Sequence, residues 1–226
     1  MSEDFKTIAE NYKRITEDVE KTANGRKVRI MAVTKTVPTE KVNYALSLGI
    51  ELLGENRAQE FLQKHAFYEK NTKKVEIHFI GGLQNNKVRV IIDKIDMIQS
   101  ADSVKLLTEI EKQAKARNLN MNVLIEVNIG SEFSKNGIKP DGLSALLVQA
   151  DEFEHITLRG LMAIPPVNAE EKVYANMQKL YEESKSKVRR PEKFDTLSMG
   201  MSGDYRTAIK HGANIIRIGS ALFGNR

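Results

Sequence analysis

Val28-Arg29-Ile30-Met31-Ala32-Val33-Thr34 is an apolar run that ends directly at Lys35, and it is the first of eight such runs. The others cover residues 50–53, 75–80, 96–98, 123–127, 158–164, 196–198 and 215–218. Amphipathic stretches separate them, among them residues 39–48, 103–117, 142–150 and 170–187. Most of the runs are nearly continuous in apolar residues, as parallel strands covered on both faces are. This rhythm predicts an α/β protein, a (β/α)8 TIM barrel. A doubly wound open sheet is the other architecture such a rhythm allows.

Residues 1–25 read as an additional N-terminal helix packing on the barrel. Ser2 is placed to cap it, Glu3 and Asp4 favour its positive end, and Ile8, Tyr12, Ile15 and Val19 share one helical face. Asn24-Gly25 ends it with residues that tolerate left-handed backbone. Asp102 and Asn168 are the expected N-caps of two later helices. With no linker rich in Pro, Gly or Ser, residues 1–226 are expected to form a single domain.

The 41% apolar and 29% charged content is that of an ordinary globular chain of 226 residues. The formal charge of +5 is spread along the sequence, and with 6% aromatics and no Trp there is little material for base stacking, so nucleic-acid binding is not expected. Cysteine is absent, which removes disulfides, thiolate metal sites and Cys nucleophiles. The four histidines (65, 78, 155 and 211) show no HxH or HExxH spacing, so no metal site is expected. There is no visible signal peptide and no apolar run of membrane-spanning length, which leads to a cytoplasmic protein without a membrane partner.

In such a barrel, chemistry gathers at the C-terminal ends of the strands. There lie Lys35, Glu55-Asn56-Arg57, His78, Asn128, Met162, the stretch Ser198-Met199-Gly200-Met201-Ser202-Gly203, and Arg217 with Gly219-Ser220. A lysine here either reaches solvent or forms an imine with an aldehyde. The aldehyde would be carried by pyridoxal phosphate or, in an aldolase, by a sugar phosphate. The two Gly/Ser turns after the seventh and eighth runs are ordinary tight turns or a phosphate nest. Glycine lets backbone N–H groups turn inward, serine adds donors, and a helix start contributes partial positive charge. Arg217 in Ile215-Ile216-Arg217-Ile218 is a structural ion pair or faces a bound ring. His78 is a satisfied core residue or part of a site wall. Asn56 caps a helix or supports the ring.

As a set, certain segments resemble the pyridoxal phosphate homeostasis proteins, a group related to the barrel domain of alanine racemase. They are Ala32-Val33-Thr34-Lys35, Gly54-Glu55-Asn56, His78-Phe79-Ile80-Gly81, Leu83-Gln84-Asn85-Asn86-Lys87 and Arg159-Gly160-Leu161-Met162. Leu197-Ser198-Met199-Gly200-Met201-Ser202 and the segment from Arg217 to Gly224 complete the set. The resemblance runs from about Val28 to Arg226. Gly82 stands where the family often has Pro, and Phe133 interrupts a polar stretch ahead of Ser134-Lys135-Asn136-Gly137. It implies a fold type III barrel with pyridoxal 5′-phosphate held as a covalent imine on Lys35. Ser198, Gly200, Met201, Ser202, Gly219 and Ser220 would surround the phosphate, Arg217 would face the pyridine nitrogen, and Asn56, His78 and Met162 would border the ring. The implied role is holding the cofactor and balancing vitamin B6 and amino-acid pools without established turnover. Apo-enzymes that require the cofactor are the implied partners, and the implied state is monomeric. An amino-acid racemase of the alanine racemase type is the alternative. It normally adds a β-rich domain that brings a tyrosine, and no such domain follows the last run.

Overall fold

The computed structural model describes residues 3–68, 75–130, 132 and 136–224. The cap expected at Ser2 and the segment around Phe133 to Lys135 lie outside the described residues. The chain opens with α1 (Glu3–Ala23), then alternates β1 (Arg29–Val33), α2 (Thr39–Ser47), β2 (Leu52–Glu55), α3 (Ala58–Lys64) and, after a short 3-10 turn, β3 (Glu76–Phe79). It continues with α4 (Asn85–Ile91), β4 (Met97–Ala101), α5 (Val104–Lys115), β5 (Met121–Val127), α6 (Pro140–Ala150) and β6 (Ile156–Ala163). Then come α7 (Glu171–Lys185), β7 (Thr196–Ser198), α8 (Tyr205–Lys210), β8 (Ile215–Ile218) and α9 (Ser220–Phe223).

The strands are parallel and close into one barrel in sequence order, β8 returning to β1 through pairs such as Met31 with Arg217 and Ala32 with Ile218. The expected (β/α)8 barrel with an N-terminal helix is therefore the fold, and the open sheet is not. Alternation along each strand sorts the side chains. Ala32, Leu53, Ile77, Phe79, Ile98, Val123 and Ile216 face outward into the main core under the helices. Facing inward are Met31, Leu52, Ile80 and Ile215 in one apolar group and Met97, Leu124 and Met162 in another. His78, Gln99, Glu126, Ser198 and Arg217 are buried polar side chains of the same interior.

Gly160 marks a shift in register between β5 and β6. Its φ is +142°, and a Cβ there would come within 1.8 Å of the Thr196 carbonyl oxygen, so only glycine fits. Helix α1 lies across α2, α8 and α9. Ile8, Ile15, Val19 and Ala23 are buried, Phe5 stacks on Tyr44 at 4.5 Å, and Asp18 accepts from Tyr205 at 2.5 Å and from Arg206 at 2.7 Å. Asn24 and Gly25 both take positive φ, as their residue types suggest.

Two expected caps move. Ser103, one residue past Asp102, caps α5 by accepting from the Leu106 N–H. Glu170 occupies the cap position of α7, while Asn168 sits at φ +56° in the preceding turn. In both cases a Ser, Asp or Asn near a helix start signals a turn, but its exact phase is set by how the loop leaves the strand. No described helix is long and apolar enough to cross a membrane.

Candidate functional site at the barrel mouth

A cavity of about 470 Å³ opens at the C-terminal ends of the strands. Val33, Ile80 and Ile164 supply apolar walls, and Asn56, Ser202, Arg217, Gly219 and Ser220 supply polar ones, with Met201 and Gly203 at one side. Size and lining are those of a site for one small molecule with a flat apolar part and an anionic part.

The anionic end is built from two loops. Between β7 and α8 the chain turns through Gly200 at φ +93°, where a Cβ would lie 2.5 Å from the Ala208 Cβ, so the loop packs against α8 only as glycine. The Gly200 carbonyl oxygen accepts from the Arg217 N–H at 2.9 Å, which ties this loop to β8. Ser202 Oγ accepts from the Ala221 N–H at 3.2 Å, which ties it to the start of α9. Among the described residues, the backbone N–H groups of Ser202, Gly203 and Ser220 have no acceptor in the protein. Ser202, Gly203 and Ser220 all line the cavity, so an anion there would meet amide dipoles.

Arg217 lines the cavity from β8 and is 3% exposed. Its Nη1 donates to the carbonyl oxygen and to Oγ of Ser198, both at 2.8 Å, and its Nη2 donates to the Ala163 carbonyl oxygen at 2.7 Å. Complete burial lowers its pKa to about 10, against the pull of Glu126 and Asp204 in the other direction, so it stays charged at neutral pH. Glu126, 5% exposed on β5, is pushed up to about 7 by burial and by Asp102, with Arg217 opposing. The residue scan of the sequence passed over this carboxyl because it looks like one polar residue in an apolar strand.

Lys35 follows β1 in a tight turn, two residues beyond the cavity-lining Val33, and is half-buried. Thr36 adopts φ +60°, and the turn is clamped from α3. Glu60 accepts from the Thr36 N–H at 2.6 Å, and Lys64 donates to the carbonyl oxygens of Val37 at 2.8 Å and Thr34 at 3.4 Å. Behind it, buried Glu55 accepts from the Thr34 hydroxyl at 2.7 Å and from the Tyr68 hydroxyl at 2.6 Å, and burial raises its pKa.

Asn56, Met201, Ser202, Arg217, Gly219 and Ser220 thus line one cavity, as the sequence reading brings them together. Gly200 shapes the loop without lining it. His78, Ser198 and Met162 lie below the wall: His78 and Ser198 are fully buried in the polar interior, and Met162 packs with Met97 and Leu124. Met162 and His78, expected to border a bound ring, face the same side as the cavity-lining residues of their strands but one step deeper. Ile80, two residues after His78, and Ile164, two after Met162, line the cavity. Gln99 and Glu126 belong to the same interior and carried no motif.

The residues fit a phosphorylated pyridine aldehyde. The Asn56 Oδ1 is buried at the cavity wall without a partner, so a donor or a flipped amide is accommodated there. Gly81 secures that position, since a Cβ on it would lie 2.1 Å from the Asn56 carbonyl oxygen. Among the described residues, no cluster of His, Asp or Glu suits a metal ion.

Residues 4–226 match the family described as alanine racemase, N-terminal domain. A pyridoxal phosphate homeostasis protein of Haemophilus influenzae is 37% identical over 211 residues, covering 92% of this chain and 89% of the relative. PipY of Synechococcus elongatus, solved with pyridoxal phosphate bound, superposes with a TM-score of 0.84 at 28% identity, over 96% of this chain and all of that one. The alanine racemase of Corynebacterium glutamicum has a TM-score of 0.73 at 14% identity, over 98% of this chain and 61% of its own, which is a likeness of fold.

Proposed function

The chain belongs to the alanine racemase N-terminal domain family, among the pyridoxal phosphate homeostasis proteins, and from that premise we propose that residues 1–226 form one unit that binds pyridoxal 5′-phosphate and helps to maintain the vitamin B6 and amino-acid pools. The observation that carries the reading is the cavity itself, which brings together serine and glycine turns, a buried guanidinium and apolar walls, one of them Val33, two residues before Lys35.

Lys35 is the amine that would hold the aldehyde covalently, on a turn that Glu60 and Lys64 clamp from α3. Ser202, Gly203 and Ser220 offer N–H donors to the phosphate, and Ser202 and Ser220 add hydroxyls. Val33, Ile80 and Ile164 cover the ring and exclude water. When bound, the cofactor supplies an electron sink whose depth depends on protonation of its ring nitrogen. Arg217, charged at neutral pH, keeps a facing ring nitrogen unprotonated and makes that sink shallow. Among the described residues no tyrosine lines the cavity. Tyr174 lines a neighbouring cavity, where its hydroxyl donates to Asp204 at 2.7 Å. Both points support a holding role.

The test is the visible spectrum of the purified protein with added pyridoxal phosphate, before and after borohydride, beside Lys35→Ala. We expect a band that disappears on reduction and leaves a fixed adduct, and no fixed adduct in the variant. Equal trapping by the variant overturns the role of Lys35. Alanine racemisation at the rate of a dedicated racemase overturns the holding role.

A further inference from the structure

The polar interior forms one continuous chain from the mouth of the barrel to its floor. Arg217 Nη1 donates to Ser198 Oγ at 2.8 Å, Ser198 Oγ donates to Gln99 Oε1 at 2.7 Å, and Gln99 Nε2 lies 2.8 Å from His78 Nδ1. His78 Nε2 lies 3.3 Å from Glu76 Oε2, which also accepts from Arg29 at 3.0 Å. With His78 neutral, side-chain chemistry leaves one direction of donation. A guanidinium has no acceptor, so Ser198 must accept from it and give its only proton onward. The receiving atom of Gln99 is therefore its oxygen, which leaves the amide nitrogen to donate to His78. His78 must then keep Nδ1 bare and carry its proton on Nε2, pointing at the Glu76 carboxylate. Turning the Gln99 amide over would ask His78 to carry protons on both ring nitrogens, a charge that its burial disfavours.

We propose that Gln99 and His78 are positioning residues of the barrel-mouth site: this one-way chain holds the Arg217 guanidinium against Ser198 and presents it to the cavity in a single orientation. The inference rests on the cofactor reading above for what Arg217 meets, but not for the chain itself. Ser198 gives its single proton to Gln99, so it serves Arg217 and has none to donate to a bound phosphate. His78 remains neutral because burial disfavours its charge and because a second ring proton would oppose the Gln99 amide. Glu76 and Asp96 act on it in the opposite sense and Arg29 in the same sense. At the other end Arg217 is faced by Glu126 and Asp204.

The experiment uses the full chain with 15N-labelled histidine, as wild type and as Gln99→Leu, with Gln99→Met in case the first variant does not fold. NMR of the cofactor-free protein reads the His78 tautomer, and visible absorption during titration with pyridoxal 5′-phosphate reads the site. We expect His78 neutral with its proton on Nε2 between pH 6 and 8 in the wild type, and a changed tautomer balance in either variant. The variants are expected to bind the cofactor about tenfold more weakly, the equivalent of one lost hydrogen bond, and with a displaced absorption maximum. Loss of packing alone would not displace that maximum. A wild-type proton on Nδ1 overturns the chain. A band and affinity identical to wild type in a folded Gln99 variant overturn the positioning role. A wild type that never develops a band rejects the cofactor reading instead, and the tautomer then decides the chain alone.

Discussion

Arg217 and Glu126 are opposite charges brought into one dry interior, and each alters the other. Arg217 is satisfied by three hydrogen bonds to Ser198 and Ala163, which is what a buried guanidinium requires. Glu126 has the pull of Arg217 but also the burial that raises its pKa to about 7. Between the ordinary glutamate value near 4.5 and about 7, the native carboxyl keeps its proton while the unfolded one loses it. Rising pH in that window therefore favours unfolding. Glu126→Gln should match the wild type near pH 4.5 and gain an advantage that grows to about 3 kcal/mol by pH 8, read as the difference in urea midpoints across the pH series. A constant difference across the series would place the carboxyl in solvent.

At the scale of elements, the reactive turn and its clamp are separate pieces of chain. Residues 34–37 leave β1 with Thr36 at φ +60°, the turn closes on itself through the Val37 N–H and the Thr34 carbonyl oxygen at 3.0 Å, and α3 secures it further. Helix α3 does so by placing Glu60 and Lys64 one helical turn apart, one for the N–H of Thr36 and the other for the carbonyl oxygens of Thr34 and Val37. Lys64→Ala removes the second half of the clamp. We expect a loss of about 1–2 kcal/mol in urea unfolding and slower formation of the borohydride-stable adduct, with the phosphate nest untouched. Unchanged adduct kinetics would mean that the turn holds itself. The strand-end set was readable but its depth was not: residues two apart share a face of the strand, and His78 and Met162 lie one such step below Ile80 and Ile164, which line the cavity.

For the whole molecule, the cavity exists only when the barrel is closed, since its walls come from β1, β2, β3, β6, β7 and β8 and the loops that follow them. The unfolded chain has no nest to offer. Pyridoxal phosphate should therefore stabilise the native state by about 2.7 kcal/mol at roughly a hundred times its dissociation constant, measured as a shift in the urea midpoint. Lys35→Ala should keep the part of this that comes from the phosphate and ring contacts and lose the covalent part. Absence of any shift in the wild type would break the link between the cavity and this ligand.

The sequence by itself determined a parallel α/β protein, because eight nearly continuous apolar runs separated by amphipathic helices must be buried on both faces, while closure into a barrel rather than an open sheet is seen in the pairing of β8 with β1. It also determined which glycines and serines form the two mouth turns, since left-handed backbone and small donors are written in residue type. Tertiary structure alone decided what lies inside. Gln99 and Glu126 are single polar residues in apolar strands, with no spacing that links either of them to Ser198 or Arg217. Closing the barrel brings residues 99 and 198 within hydrogen-bond distance. A buried hydrogen bond between residues so far apart in the chain is a property of closure, and no local pattern encodes it.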